Sequence, residues 1–250
     1  MTETSQVPAK WDEILAKHAT AAAALETPTT QNISVRGGYM TLNGVAVPNS
    51  ELDCVIIAST FENQYYDPDK PFDPDNLQNP ICFSMSLDGE EMVPDPKSTA
   101  IQNADCTTCK NMAWKSDPIR KKGKACKEKR KLAILPAGQM KDANAIKKAE
   151  LAVLAIPVTS VKNWSNYVNS LSEEHQRPPF AMLTTIRSRP HPRYQLEVTF
   201  ELKGFVGEEF LGAVMDRIVP AQKLMMTPYE GQPEDPTKSK EENAKKPKKY

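Results

Sequence analysis

Residues 32–47, NISVRGGYMTLNGVAV, decide the fold class. Three short runs, Ile33–Arg36, Tyr39–Leu42 and Val45–Val47, are divided by the turn pairs Gly37-Gly38 and Asn43-Gly44. Asn-Gly favours a two-residue hairpin because both positions tolerate positive φ. The stretch reads as a β meander. Outward from it, Leu52–Phe61 is the next strand. Its run Leu52-Asp-Cys-Val-Ile-Ile-Ala58 is apolar enough to be buried, which makes Cys54 a small core residue.

Further strands are expected at Ile81–Ser86, Arg130–Leu135 and Leu151–Ile156. Phe180–Arg187 and Tyr194–Phe205 pair as a hairpin through Arg189-Pro-His-Pro192. Helical spacing of Trp11, Ile14, Leu15 and His18 predicts a helix over Val7–Glu26. A second is predicted over Val161–Leu171, N-capped by Ser160, and a third over Glu208–Val219, opened by two acids that suit the helix dipole. Gln64–Asn79, rich in Pro, Asp and aromatics, is expected as a surface loop. The expected architecture is mainly β (α+β): an OB-like barrel over 32–219 with an inserted loop at about 80–130 and flanking helices. Residues 1–31 form an N-terminal helical extension, and 220–250 a disordered tail rich in Lys, Glu and Pro.

The chain has 250 residues, 39% of them apolar, with mean hydropathy −0.55. No apolar run approaches the roughly 20 residues that span a bilayer. Met1-Thr-Glu-Thr-Ser-Gln-Val-Pro8 lacks the basic start and apolar stretch of a secretory signal, so no membrane partner and a cytoplasmic location are expected. The 32 basic and 32 acidic residues cancel overall but not locally. Over residues 51–100 eleven acids face two bases, whereas over 110–131 ten bases face Asp117 and Glu128. A cationic block of that density sets a local potential that the whole-chain balance conceals.

Four of the five cysteines bracket this block. Cys106-Thr-Thr-Cys109 is a C-x-x-C pair able to aim two thiolates at one ion, with Cys82 upstream and Cys126 following in Lys122-Gly-Lys-Ala-Cys126. Four sulfur ligands complete the shell of Zn²⁺ and leave no position open for a substrate, so a structural zinc loop is expected. An iron–sulfur cluster and a redox dithiol are the alternatives. The odd cysteine count without a signal segment argues against a disulfide framework.

No phosphate-binding glycine loop, dinucleotide fingerprint, zinc-protease helix or nucleophile elbow occurs, and the three histidines are scattered. Asp67-Pro-Asp69 and Asp73-Pro-Asp75 read as turn chemistry rather than a nuclease centre. No catalytic residue is assigned and no enzyme is expected. Sites for single strands join a cationic groove, which follows phosphates, to aromatic rings on which bases stack. The basic block supplies Lys110, Lys115, Arg120, Lys121, Lys122, Lys124, Lys127 and Arg130 around Trp114. Beside the expected strands lie Arg36, Tyr39, Tyr65, Tyr66, Arg187, Arg189, Arg193 and Tyr194. The competing reading is a zinc-loop adaptor that contacts acidic surfaces of replication or transcription proteins.

The succession Pro80-Ile-Cys82, Asn103-Ala-Asp-Cys-Thr-Thr-Cys109, Trp114-Lys-Ser116, Lys122-Gly-Lys-Ala-Cys126 and Arg130-Lys-Leu-Ala-Ile-Leu135 resembles bacteriophage-encoded single-stranded-DNA-binding proteins. Pro178-Pro-Phe180 leading into Thr184-Thr-Ile186 resembles them too, and the likeness covers roughly 81–205. It implies an OB-like fold, ligand roles for Cys82, Cys106, Cys109 and Cys126, and protection of single strands during phage DNA replication or recombination. It also implies a location in the host cytoplasm. Replication or recombination proteins, and further copies of the chain on DNA, are the expected partners. Two departures stand out. Lys110 follows Cys109 where the pattern leads to expect Pro, and the tail from Gly231 carries six bases against four acids instead of an acidic hook.

Overall fold

A computed structural model describes residues 11, 14–18, 31–70, 78–119 and 121–229. The meander is present as β1 (Gln31–Arg36), β2 (Tyr39–Leu42) and β3 (Val45–Ala46). Asn43 and Gly44 form the second turn with φ of 51° and 79°. A single turn of 3-10 helix, Pro48–Ser50, leads into β4 (Glu51–Tyr65), the longest strand. Then follow β5 (Cys82–Ser86), β6 (Lys127–Pro136), β7 (Ala152–Ile156), β8 (Met182–His191) and β9 (Gln195–Phe205). The sheet order is β3-β2-β1-β7-β6-β4-β8-β9, with β5 joining the far end of β4. Among the described strands only β1 and β7 run parallel.

This mixed sheet curls into a half-barrel until β2 meets β8. The approach is tight at one point, where a Cβ on Gly38 (φ +87°) would lie 2.4 Å from the Pro190 nitrogen. Strand alternation divides the core between the two faces. Cys54, Ile56, Leu132, Ile134 and Leu154 face inward with Ile33 and Met40, and Trp164 and Tyr167 of α2 (Val161–Ser170) plug that side. Val55, Ile57, Ala133 and Leu135 face outward, under α1 (Ala143–Lys148), α3 (Glu208–Met215) and α4 (Ile218–Met225). A bulge between Ile56 and Ala58 sets Ile57 and Ala58 on the same face. Cys54 is fully buried in the inner core, as its apolar run indicates. Among the described residues no helix is long and apolar enough to cross a membrane.

Several boundaries differ from expectation. β4 continues to Tyr65 because Glu62, Asn63 and Gln64 pair with β6 on one side and β5 on the other, so the loop expected from Gln64 begins later. Ser160 does not cap α2; its Oγ accepts from the Val198 N–H at 2.9 Å and ties the helix to β9. The last hairpin turns at 192–194, with Pro190 and His191 still in β8. The helix expected over Glu208–Val219 stops at Met215, and the tail expected from 220 begins instead as helix α4, after which Tyr229 packs on the sheet. Residues 230–250 lie outside the described residues, as does most of the helix predicted over Val7–Glu26, of which Trp11 and 14–18 are helical.

Candidate functional site

β5 pairs with the end of β4 so that Tyr65 stands opposite Cys82, and Asn63 opposite Ser84, on one face. From β5 the chain enters a loop over 87–126 built from short turns. Asp88, Asp95 and Asp105 each accept a backbone N–H two residues on, from Glu90, Lys97 and Thr107 at 2.7–3.0 Å. These three acids are thus spent on turn geometry. The Cys106 N–H donates to the Met92 carbonyl, the Cys109 N–H to the Cys106 carbonyl, and the Cys126 N–H to the Asn111 carbonyl. These bonds bring the return leg of the loop against the C-x-x-C turn.

Cys82, Cys106, Cys109 and Cys126 line one cavity of about 20 Å³, together with Asn63, Tyr65 and Ser84. All four are free thiols. The Ser84 hydroxyl lies 3.4 Å from the Cys106 sulfur. Burial pushes the Cys106 thiol up, against hydrogen bonds with Ser84 and Asn63 that lower it, and carries Cys126 up to about 12, with Cys106, Cys82 and Cys109 adding to the rise at Cys126. Thiolate sulfurs are the donor type that a thiophilic ion takes, and the four share this lining. Among the described residues, no group of three or more His, Cys, Asp or Glu side chains is arranged to hold a metal. Histidines 175 and 191 belong to other parts of the fold, beside Phe205 and Tyr194.

The cationic block divides into free and engaged members. Lys110, Lys115, Lys121 and Lys122 are exposed and make no ion pair among the described residues, and Trp114 beside them is 71% exposed. Lys115 and Lys121 take φ of 69° and 52°, a left-handed backbone uncommon outside glycine. Lys124 pairs with Glu128 at 2.5 Å and Lys127 with Asp117 at 2.8 Å. The Arg130 guanidinium lies over the Phe61 ring at 3.7 Å. Arg120 lies outside the described residues. Tyr65 belongs to the cysteine cavity, and Tyr66 is turned to the other face, where its hydroxyl donates to Gln64 Oε1 at 2.8 Å.

A second basic group sits at the opposite end of β4. Arg36 and Tyr39 flank the turn that meets Pro190, and Arg189, Arg193 and Tyr194 surround the β8–β9 tip. Arg187, one step inward, is held by Glu51 at 2.8 Å and by Glu201. Fifteen residues of strand separate the groups, on the order of 45 Å along the chain at about 3.3 Å per residue. The expected binding residues therefore form two surfaces rather than one groove. No family model, curated protein or solved structure matches this chain.

The outer face holds a polar cluster that sequence reasoning missed. Glu62, wholly buried, pairs with Lys131 at 2.7 Å and accepts from the Tyr229 hydroxyl at 2.7 Å. Gln64 Nε2 donates to the same hydroxyl, and the Tyr229 ring meets Phe83 edge-on at 5.0 Å. The available signal was Tyr229 itself, an aromatic at the head of a tail otherwise rich in Pro, Lys and Glu.

Proposed function

We propose that this chain binds single-stranded DNA without reading its sequence, on an OB-like half-barrel whose cysteine loop is shaped by one structural zinc ion. Trp114 carries the reading: a large ring left mostly in water among four unpaired lysines, on a backbone bent through left-handed positions. Burying such a side chain is worth roughly 1.5–3 kcal/mol, so its exposure forgoes stability that a stacked base restores. The free lysines attract phosphates and read no base edges.

Cys82, Cys106, Cys109 and Cys126 are the residues to hold the ion. It supplies charge that favours thiolates over thiols and so fixes the turn carrying Lys110 and Trp114. Protection of strands in phage DNA replication or recombination, in the host cytoplasm and as a non-enzymatic coat, follows from the family resemblance. The adaptor reading draws support from Val93, Ile101 and Ile119, exposed on the same loop.

Fluorescence anisotropy with single-stranded and duplex DNA at two salt concentrations separates the two. Preference for the single strand, with Trp114→Ala costing about 1–3 kcal/mol of affinity, supports stacking. Equal affinity for both forms removes it, and no binding to either leaves the adaptor.

A further inference from the structure

We propose that the bound strand is gripped at two ends, by the Trp114 loop and by the arginine–tyrosine patch on the paired hairpin tips at the start of β4. This rests on the single-strand reading and extends it to a second contact surface and a footprint. The close approach of Gly38 to Pro190 sets the β1–β2 turn against the β8–β9 tip, so two hairpins present one surface. Tyr39 is 75% and Tyr194 49% exposed, and Arg36, Arg189 and Arg193 are exposed around them. The Tyr194 ring is held flat by His191, stacked at 4.5 Å and 11°. His191 Nδ1 in turn accepts from the Arg193 N–H at 3.2 Å.

The charge on this patch is largely unspent. Among the described residues Arg36 and Arg193 make no ion pair, and Arg189 meets one carboxylate, Glu51, at 3.9 Å. Glu197, opposite Arg189 in the β8–β9 register, accepts instead from Asn163 Nδ2 at 3.0 Å. Three guanidinium groups on adjoining hairpins repel one another, and a phosphate chain offsets that repulsion. Guanidinium planes and phenol rings also stack on bases, so the chemistry that fits the patch matches that of the Trp114 loop.

β4 runs about 45 Å in contour between the two surfaces, a length that roughly 13 nucleotides match at the stacked spacing of about 3.4 Å, and fewer suffice where the strand curls. A strand long enough to reach both gains from the effective concentration of the second contact, and a short one does not.

The experiment compares oligothymidylates of roughly five and twenty nucleotides on the full-length wild type and on the Arg36→Ala/Arg189→Ala/Arg193→Ala variant. All three side chains are exposed, and circular dichroism checks that the fold is kept. Binding of the short strand is read by the part of the tryptophan quenching that a Trp114→Phe control removes, which reports the loop alone, and of the long strand by anisotropy. The variant should bind the long strand about tenfold or more weaker while the short strand changes by less than about twofold. An unchanged long-strand affinity, or an equal loss at both lengths, overturns the two-ended grip and leaves single-strand binding standing. Wild type that binds neither length overturns the single-strand reading, and this proposal with it.

Discussion

At Tyr229 one phenol closes a buried account of charges. Its hydroxyl donates to Glu62 and accepts from Gln64, while Lys131 reaches both the Glu62 carboxylate and, at 4.6 Å, the face of the Tyr229 ring. Glu62 Oε2 already lacks a partner among the described residues, which offer no spare donor to replace a lost one. Tyr229→Phe keeps the ring against Phe83 and removes only the hydroxyl. It is expected to lower stability by about 1–3 kcal/mol, read as a shifted urea midpoint at unchanged slope. No shift would mean the phenol adds nothing beyond its ring. The neighbouring Tyr66 hydroxyl is pushed up to about 12, by burial first and by Glu62 second. Its proton is held more tightly folded than unfolded, so its share of stability is full below the ordinary phenol value near 10. That share drains away as pH rises from there towards 12. Tyr66→Phe should flatten the fall in stability across that alkaline window, and a fall as steep as in the wild type would discount the coupling.

At the scale of elements, the cysteine loop and β4 show what a linear reading reaches. Asn43-Gly44 and the Leu52–Ala58 run were legible because turn chemistry and apolar burial act locally. The C-x-x-C pair Cys106 and Cys109 was legible by spacing, and Cys82 and Cys126, added from their place around the basic block, line the same cavity. The second half of β4 was not legible, because Glu62, Asn63 and Gln64 are polar and their burial depends on Lys131, β5 and Tyr229, distant in sequence. Ser160 was misread for the same reason: its hydroxyl serves β9 instead of its own helix. The split of the basic residues into two surfaces needs the sheet order, which no local pattern encodes. For the loop, the zinc reading predicts one zinc per chain by native mass spectrometry of protein purified without chelator. Cys109→Ser should lose the ion and weaken single-strand binding together, since the ion's role is to fix the turn under Lys110 and Trp114. Iron at the site, or full binding by the metal-free variant, would overturn that role.

Over the whole molecule the charges sum to zero, yet attraction to a polyanion is set by the cations left unpaired and their separation. Many acids are consumed inside the fold: Asp117, Glu128, Glu62, Glu51 and Glu201 each hold a base, and Asp88, Asp95 and Asp105 hold turns. At one end Lys110, Lys115, Lys121 and Lys122 stay outward without an ion pair among the described residues, and at the other so do Arg36 and Arg193, beside Arg189 loosely held by Glu51; Lys97, Lys141, Lys148, Lys162, Arg177 and Lys223 are exposed elsewhere. Each phosphate neutralised on a single strand releases condensed counterions and adds about −0.7 to the slope of log affinity against log salt. Four contacts predict a slope of about −3 for a strand confined to the Trp114 loop, and seven predict about −5 for one that reaches both ends. Titrations of the short and long oligothymidylates against sodium chloride measure the two slopes directly. Equal slopes at both lengths would place every phosphate contact on one surface, and a flat response at either length would leave the unpaired lysines without a nucleic-acid role.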